Sequence, residues 1–276
     1  MTAASATATA PAAAFAQSPA KEPWSSPGTG ERARTGIALI HGFTGSPVSL
    51  RPLAEMLASA GFSVELPRLP GHGTTWRDMI PTRYDDWRAH VVATVKGLRA
   101  RTDRVVLLGL SMGGTLSLDV ASGGGADVAG VISINAQILD RQGVIVKLGP
   151  YLEKVLPLVP ASLAGLIRND IAKPHTPEHA YAWVPSAAGN SLLRALPRVR
   201  GQLAHVPCPV LVMYSPNDHS VSPANSRALL RLIRCPELDE LVLERSYHVA
   251  TLDYDQELIL ERAIQFADRL RNVGRA

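Results

Sequence analysis

The chain has 276 residues, 46% of them hydrophobic, with a formal net charge of +4 and two cysteines. This length allows one α/β domain with a full core. No basic patch interleaves with aromatic residues, which argues against a nucleic-acid partner. No apolar stretch is long enough for stable membrane insertion. Two cysteines in a chain of this size predict reduced thiols at Cys208 and Cys235.

The N-terminal residues differ in composition from the rest of the chain. Met1 to Pro27 is rich in Ala, Thr, Ser and Pro and lacks apolar periodicity, so we expect a flexible tail over residues 1–30 and a folded domain over 31–276. Ala14-Phe15-Ala16 mimics a signal-peptide cleavage site. No Lys or Arg precedes Lys21, however, and no Leu-rich run follows. We therefore expect a cytoplasmic protein.

Strand-like and helix-like segments alternate along the folded domain. Strands are predicted near Ile37–Ile40, Ser63–Leu66, Val105–Leu108, Val128–Ile134, Val210–Tyr214 and Leu238–Leu243. Helices are predicted near Val48–Ala60, Tyr84–Arg101, Met112–Ala121, Ser191–Leu203, Pro223–Ile233 and Asp255–Arg271. This alternation predicts an α/β fold with a mostly parallel sheet and helices on both faces. Functional residues are then expected at the carboxyl ends of the strands.

A Gly-x-Ser-x-Gly pentapeptide at Gly109–Gly113 separates a predicted strand from a predicted helix. Glycine at both ends leaves room for a sharp turn, in which Ser111 is strained and its hydroxyl is lifted clear of the sheet edge. The N-terminus of the following helix favours negative charge at the same point. This context predicts that Ser111 is a nucleophile.

A serine nucleophile needs a base and an acid, which follow it along the chain in the order acid, then histidine. His248 follows the last predicted strand, and Asp218 lies in the turn after Pro209–Tyr214. We expect His248 to take the proton of Ser111, and Asp218 to orient the imidazole. The rival carboxylates are Asp140, Asp253 and Asp255.

Two backbone N–H groups are predicted to form an oxyanion hole. One belongs to Met112, which follows the nucleophile. The other belongs to Phe43, in a loop that Gly42 and Gly45 allow to fold tightly after the first strand. Only the backbone of Phe43 and Met112 is needed for this role.

The remaining histidines are interpreted as structural. His41 is expected to bond loop carbonyls, His72 to brace a loop near the site, and His219 to be a simple loop residue. No cluster of His, Cys, Asp and Glu has the spacing of zinc ligands. We therefore expect neither a metal nor another cofactor.

Four segments together resemble the α/β-hydrolase superfamily, and within it the bacterial monoacylglycerol lipase and thermostable carboxylesterase branch. They are His41–Pro47, Leu66–Gly73, Gly109–Gly114 and Ser246–Asp255. The resemblance extends from about Gly36 to the C-terminal helix. It implies an α/β-hydrolase fold, a catalytic triad of Ser111, Asp218 and His248, and an oxyanion hole at Phe43 and Met112.

The resemblance also implies a small cap inserted at about 137–190. Glu178 matches a cap glutamate that meets a glycerol head group, and Ile167 aligns with the wall of the alcohol pocket. Asn135 is expected nearby. From the residues alone, Glu178 could equally be an exposed carboxylate at a helix start. The apolar segment from about Ile138 to Pro160 could bind an acyl chain, since each buried methylene contributes about 0.8 kcal/mol, or could pack on the core.

These observations predict a serine ester hydrolase that cleaves monoacylglycerols to glycerol and fatty acid through an acyl-enzyme. A general carboxylesterase or a thioesterase on short to medium acyl esters is the alternative in the same fold. Carbon–carbon bond hydrolysis and acyl transfer also stay open, because fold alone does not fix the reaction. A non-catalytic ligand-binding relative is the alternative of another class. The expected partner is a small lipid or ester, with at most transient contact between the cap and lipid aggregates.

Overall fold

A computed structural model of the chain describes residues 19–140, 153 and 155–272. The strands within these residues are β1 (Trp24–Ser26), β2 (Thr35–Ile40), β3 (Ser63–Leu66), β4 (Arg104–Leu110), β5 (Gly130–Ile134), β6 (Leu158–Pro160), β7 (Trp183–Pro185), β8 (Val210–Tyr214) and β9 (Leu238–Val242). The α-helices are α1 (Arg51–Ser59), α2 (Trp76–Met79), α3 (Tyr84–Arg99), α4 (Met112–Ser122), α5 (Ser186–Gln202), α6 (Ala224–Leu232) and α7 (Gln256–Asn272).

Seven of these strands form one sheet in the order β1-β3-β2-β4-β5-β8-β9. The edge strand β1 runs antiparallel to β3, and the other neighbours run parallel. The remaining strands, β6 and β7, form a separate antiparallel pair. Because β3, β2, β4, β5, β8 and β9 are parallel, the loops that follow their carboxyl ends meet at one edge of the sheet.

Helices cover both faces of the sheet because the strands are apolar on both sides. Ile37 and Leu39 of β2 pack in one cluster with buried side chains of α1 and α7. Ala38 and Ile40 point to the other face, in a cluster with side chains of α3, α4, α5 and α6. The predicted α/β fold with a mostly parallel sheet and helices on both faces is therefore confirmed.

Three features differ from the sequence-based expectations. Strand β1 lies within the predicted tail of residues 1–30 and pairs with β3, so the folded part begins earlier than predicted; residues 1–18 lie outside the described residues. Helix α2 and the β6–β7 pair were not predicted, because three- and four-residue elements carry no measurable periodicity. Helix α5 begins at Ser186, five residues before the predicted start.

Most of the apolar segment proposed to bind an acyl chain falls outside the described part of the chain, which omits residues 141–152 and 154. The last residues of this segment form β6, which pairs with β7. Both strands come after β5 and before α5 along the chain. Within the described residues, no helix combines the length and the apolar character needed to cross a membrane.

Candidate active site

Ser111 lies in a sharp turn between β4 and α4, at the carboxyl edge of the sheet. Its backbone has φ 57° and ψ −120°, a conformation that a non-glycine residue adopts only at a cost. A Cβ atom added to Gly109 would overlap the carbonyl of Gly113, and one added to Gly113 would overlap the carbonyl oxygen of Ile40. The structure thus has the strained turn that the pentapeptide predicts, and only glycine fits at positions 109 and 113.

His248 and Asp218 form a hydrogen-bonded pair in the loops that follow β9 and β8. The distance from His248 Nδ1 to Asp218 Oδ2 is 2.7 Å, and their side chains are 12% and 1% exposed. The other carboxylate oxygen of Asp218 accepts the backbone N–H groups of Ser220 at 2.8 Å and Val221 at 2.7 Å. Asp218 is therefore held by its own turn through one carboxylate oxygen and contacts the imidazole through the other.

The pKa of His248 is raised above its ordinary value. Burial alone would lower the pKa, but the charge and the hydrogen bond of Asp218 raise it, and the charges of Glu178 and Asp170 add to this effect. A histidine in such surroundings is poised to accept a proton from a neighbouring hydroxyl.

The three rival carboxylates are engaged elsewhere. Asp140 forms an ion pair with Arg200 at the surface. Asp253 accepts backbone N–H groups from two neighbouring loops. Asp255 accepts the hydroxyl of Ser246 at 2.8 Å. Asp218 is the one among these four candidates that contacts His248 in the structure.

Ser111 and His248 line the same cavity, together with Phe43 and Met112. A Cβ atom at Gly42 would lie 3.3 Å from the Ser111 Cβ, so the loop that carries Phe43 passes directly beside the serine. The rest of the described lining is largely apolar and includes Leu156, Val159, Leu166, Val184, Leu192 and Leu193. The cavity therefore offers a hydroxyl, an imidazole and nearby backbone amides beside a surface suited to hydrocarbon.

His41 and His72 support the loops around this cavity. His41 Nδ1 lies 3.0 Å from the Gly42 carbonyl oxygen, and the Leu69 N–H donates to His41 Nε2 at 3.1 Å. Burial lowers the pKa of His41 to about 4, so the ring is neutral and Nδ1 carries the proton. His72 Nδ1 lies 3.0 Å from the Pro70 carbonyl oxygen. The structural roles expected for these two histidines are confirmed.

Glu178 and Ile167 also line the cavity. Glu178 is 8% exposed, and burial raises the pKa of its carboxyl group. Its Oε1 would lie 3.2 Å from a Cβ atom at Gly45, so the carboxylate faces the loop that contains Phe43 and Gly45. No described residue donates a hydrogen bond to this carboxylate. Glu178 is not the exposed residue at a helix start that the sequence also allowed.

Asn135 lies near the cavity, as expected, and contacts the loop of His248. It follows β5 with φ 48° and is 2% exposed. Its amide donates to the His248 carbonyl oxygen at 2.8 Å and accepts the Ser215 N–H at 2.8 Å. Its amide thus contacts the backbone of two loops, and Asn135 is not among the described cavity-lining residues; its assignment to the substrate site stays a prediction.

Asp170 carries no sequence motif, yet it lies next to the candidate acid and base. Its carboxylate binds His219, which follows Asp218 in the chain. His219 is therefore more than the simple loop residue that the sequence indicated. The contact joins residues 49 positions apart, and no local pattern could have revealed it.

The described residues contain no group of three or more His, Cys, Asp or Glu arranged to hold a metal ion. Cys208 and Cys235 are free thiols, as predicted. Burial raises the pKa of Cys208 to about 12, so its thiol stays protonated and unreactive at neutral pH. Neither cysteine is among the residues that line the cavity.

Comparison with known proteins agrees with this architecture. The profile of the Alpha/beta hydrolase family matches residues 37–261. The chain is 38% identical to the thermostable monoacylglycerol lipase of Bacillus sp. (strain H-257) over 245 residues, which cover 86% of this chain and 91% of that protein. It is 22% identical to a carboxylesterase of Bacillus subtilis (strain 168) over 241 residues, 85% of this chain and 92% of that protein.

Solved structures give the same result. A structure from work on the metagenome-derived lipolytic enzymes LipS and LipT is 38% identical, with a TM-score of 0.83, and the match covers 91% of this chain and 98% of that one. A monoacylglycerol lipase of Paleococcus ferrophilus has a TM-score of 0.71 at 19% identity, with 91% of this chain and 98% of that one covered; at that identity the likeness concerns the fold alone. The chain belongs to the alpha/beta hydrolase family, in the branch of the bacterial monoacylglycerol lipases and carboxylesterases, and is a carboxylic ester hydrolase.

Proposed function

We propose that this hydrolase cleaves monoacylglycerols to glycerol and a fatty acid through an acyl-enzyme on Ser111. The observation that carries the proposal is the 2.7 Å bond between His248 and Asp218 beside a cavity that Ser111 and His248 both line. The named activity of the relative that is 38% identical, a monoacylglycerol lipase, supports the same substrate class.

In the first step, Nε2 of His248 takes the proton of the Ser111 hydroxyl as Oγ attacks the ester carbonyl carbon. The carbonyl oxygen becomes an oxyanion, which the backbone N–H groups of Phe43 and Met112 stabilise. The imidazolium then gives its proton to the leaving alcohol oxygen, and the bond from carbon to that oxygen breaks. Glycerol departs, and the acyl group stays on Ser111.

In the second step, His248 takes a proton from water, which attacks the acyl-enzyme carbonyl. The tetrahedral intermediate collapses as the imidazolium returns a proton to Ser111 Oγ, and the free fatty acid leaves. Asp218 keeps the proton of His248 on Nδ1 and stabilises the imidazolium in both steps. The strained backbone of Ser111 supports its role as the nucleophile, because such a turn directs the hydroxyl away from the sheet.

The cavity supports an ester with one acyl chain and a polar alcohol. Its apolar lining suits a hydrocarbon chain, each methylene of which contributes about 0.8 kcal/mol on burial. Glu178 offers an acceptor for glycerol hydroxyls, and Ile167 lines the same cavity. We assign the described residues between β5 and α5 to a cap over the cavity. Cytoplasmic location and transient contact with lipid aggregates stay predictions.

A hydrolysis panel tests the substrate class. We expect monoacylglycerols to be cleaved in preference to di- and triacylglycerols and to methyl esters and thioesters of the same acid. Equal cleavage of methyl esters and monoacylglycerols would instead favour the general carboxylesterase, and preferred cleavage of thioesters would favour the thioesterase.

Labelling with a serine-reactive fluorophosphonate tests the nucleophile. The wild-type chain should be labelled, and Ser111→Ala should not. Ser117→Ala is the matched control, because Ser117 is a buried serine of α4 whose hydroxyl bonds the Gly113 carbonyl at 2.7 Å; it should be labelled normally. Labelling that persists in Ser111→Ala would reject Ser111, and a wild-type chain that is never labelled would favour a non-catalytic relative.

A further inference from the structure

Asp170 is a buried carboxylate that the proposed reaction does not use. Its side chain is 3% exposed, and it lies in the segment between β6 and β7 rather than in the sheet. Burying a carboxylate costs free energy unless hydrogen bonds compensate for the lost water. Its partners therefore indicate why this position holds a charged residue.

Asp170 contacts the residue that follows the candidate acid and the residue that follows the candidate base. Its Oδ2 accepts the His219 backbone N–H at 3.0 Å, and its Oδ1 lies 2.8 Å from His219 Nδ1. Its backbone carbonyl oxygen accepts the Val249 N–H at 3.1 Å. One residue of the cap segment thus joins the turn after β8 to the loop after β9.

The His219 ring strengthens this junction. It packs edge-on against the Tyr247 ring, with centroids 4.6 Å apart at an interplanar angle of 84°. Tyr247 precedes His248 in the chain, so His219 touches the base loop with its ring while its own backbone continues from Asp218. Edge-to-face contact is an orientation that aromatic pairs prefer.

The same segment positions the wall of the cavity. The Asn169 side-chain oxygen accepts the Glu178 backbone N–H at 2.8 Å, and Asn169 has φ 55°, which asparagine tolerates better than most residues. The Ser220 hydroxyl donates to the Ile167 carbonyl oxygen at 3.4 Å. The cavity residues Ile167 and Glu178 are therefore fixed near Asp170 by hydrogen bonds.

We propose that Asp170 is a positioning residue that fixes the loops of Asp218 and His248 against the cap. This inference rests on the proposed function, since it assigns a role relative to that acid and base. The negative charge of Asp170 also acts on His248 through space, in addition to the charges of Asp218 and Glu178. Arg168, whose positive charge lowers the pKa of Glu178, lines the same cavity.

The charge and the hydrogen bonds predict different effects, which separates positioning from simple support of the fold. Asp170→Asn keeps the shape but removes the charge, so the pKa of His248 should fall. His219→Gln removes the ring but leaves the charge of Asp170 in place, so the pKa of His248 should not fall. Asp253→Asn is the matched control, because Asp253 is 2% exposed and bonds the same cap segment and the Tyr247 N–H.

The test is an NMR titration of the His248 ring, assigned with His248→Ala, together with the pH profile of kcat/KM on a p-nitrophenyl ester. We expect Asp170→Asn to lower both the His248 pKa and the midpoint of the acid limb. We also expect it to lower the preference for monoacylglycerol over methyl ester several-fold. Asp253→Asn and His219→Gln should leave the His248 pKa within error of the wild type or above it.

An unchanged His248 pKa in Asp170→Asn, or an equal fall in Asp253→Asn, would overturn the inference. If Asp170→Asn unfolds, a fall of the His248 pKa in His219→Gln would overturn it as well. Neither readout depends on the proposed substrate, because the titration needs no turnover and the p-nitrophenyl ester contains no glycerol. A failure of the proposed substrate, seen as poor wild-type cleavage of monoacylglycerols, is therefore distinguishable from a failure of this inference.

Discussion

The side-chain amide of Asn135 donates a hydrogen bond of 2.8 Å to the backbone carbonyl oxygen of His248. The same amide accepts the Ser215 N–H at 2.8 Å, so it joins the turn after β8 to the loop after β9. Asp218 and His248 lie on these two segments. In the proposed mechanism, an amide placed in this way acts on the geometry of Asp218 and His248 and not on the substrate.

Replacement of Asn135 should therefore lower the rate without changing specificity. We expect Asn135→Ala to reduce kcat for monoacylglycerols and methyl esters by the same factor, and to lower the free energy of unfolding by about 1–3 kcal/mol, because buried backbone groups lose their partner. Asn225→Ala is the control, since Asn225 is also buried and accepts the N–H groups of Ile138 and Leu139; it should lose stability but keep kcat. A loss confined to monoacylglycerols would return Asn135 to the head-group site.

Asp218→Asn should be nearly as damaging as loss of the nucleophile. The amide would present its NH₂ group or a neutral oxygen to His248 Nδ1, so the imidazole would lose its tautomer and its charged partner. We expect kcat to fall by roughly four orders of magnitude, measured by steady-state hydrolysis of a p-nitrophenyl ester. Asp255→Asn, which changes a buried rival carboxylate bonded to Ser246, should retain most activity; the opposite order would make Asp255 the third member of the triad.

Activity should fall at acidic pH as His248 gains a proton. The pKa of His248 is raised above its ordinary value of 6.5, because the effects of Asp218, Glu178 and Asp170 exceed that of burial. The base must be neutral to accept the Ser111 proton, so kcat/KM should decline as the pH falls through this raised pKa. An acid limb centred below 6.5 in the wild-type profile would contradict this prediction.

Local motifs and chain order were enough to predict much of the candidate site from the sequence. The turn at Ser111 follows from five residues, because glycine alone fits at the first and the last of them, Gly109 and Gly113. The pairing of Asp218 with His248 follows from topology, since both residues come after neighbouring parallel strands. Asn135 also follows a strand at this edge, but sequence could not reveal that backbone groups of two other loops occupy its amide. The partnership of Asp170 with His219 depends on how the cap segment packs, which no periodic pattern encodes.

Glu178→Gln should weaken recognition of glycerol and spare the chemical step. The amide keeps the shape of the side chain but removes the charged acceptor, and a hydrogen bond to a charged group contributes about 1.5–3 kcal/mol. We expect the ratio of kcat/KM for monoacylglycerol to that for the methyl ester to fall roughly ten- to a hundredfold.

The comparison is best made well above the His248 pKa, because Glu178 contributes to that pKa. Glu153→Gln is the control: Glu153 lines the same cavity but is paired with Arg194, so its loss should leave the ratio unchanged. If Glu178→Gln also leaves the ratio unchanged, Glu178 does not meet the alcohol.

Two glycine-to-alanine changes should act in opposite directions on stability. In Gly113→Ala the new methyl group would overlap the carbonyl oxygen of Ile40, so the turn at Ser111 must shift. We expect a lower midpoint of thermal unfolding and loss of fluorophosphonate labelling. In Gly97→Ala the methyl group meets nothing within 4 Å on an exposed face of α3, and alanine should raise the free energy of unfolding by about 0.5–1 kcal/mol with labelling unchanged. Normal labelling of Gly113→Ala would mean that Ser111 does not need the observed turn in order to react.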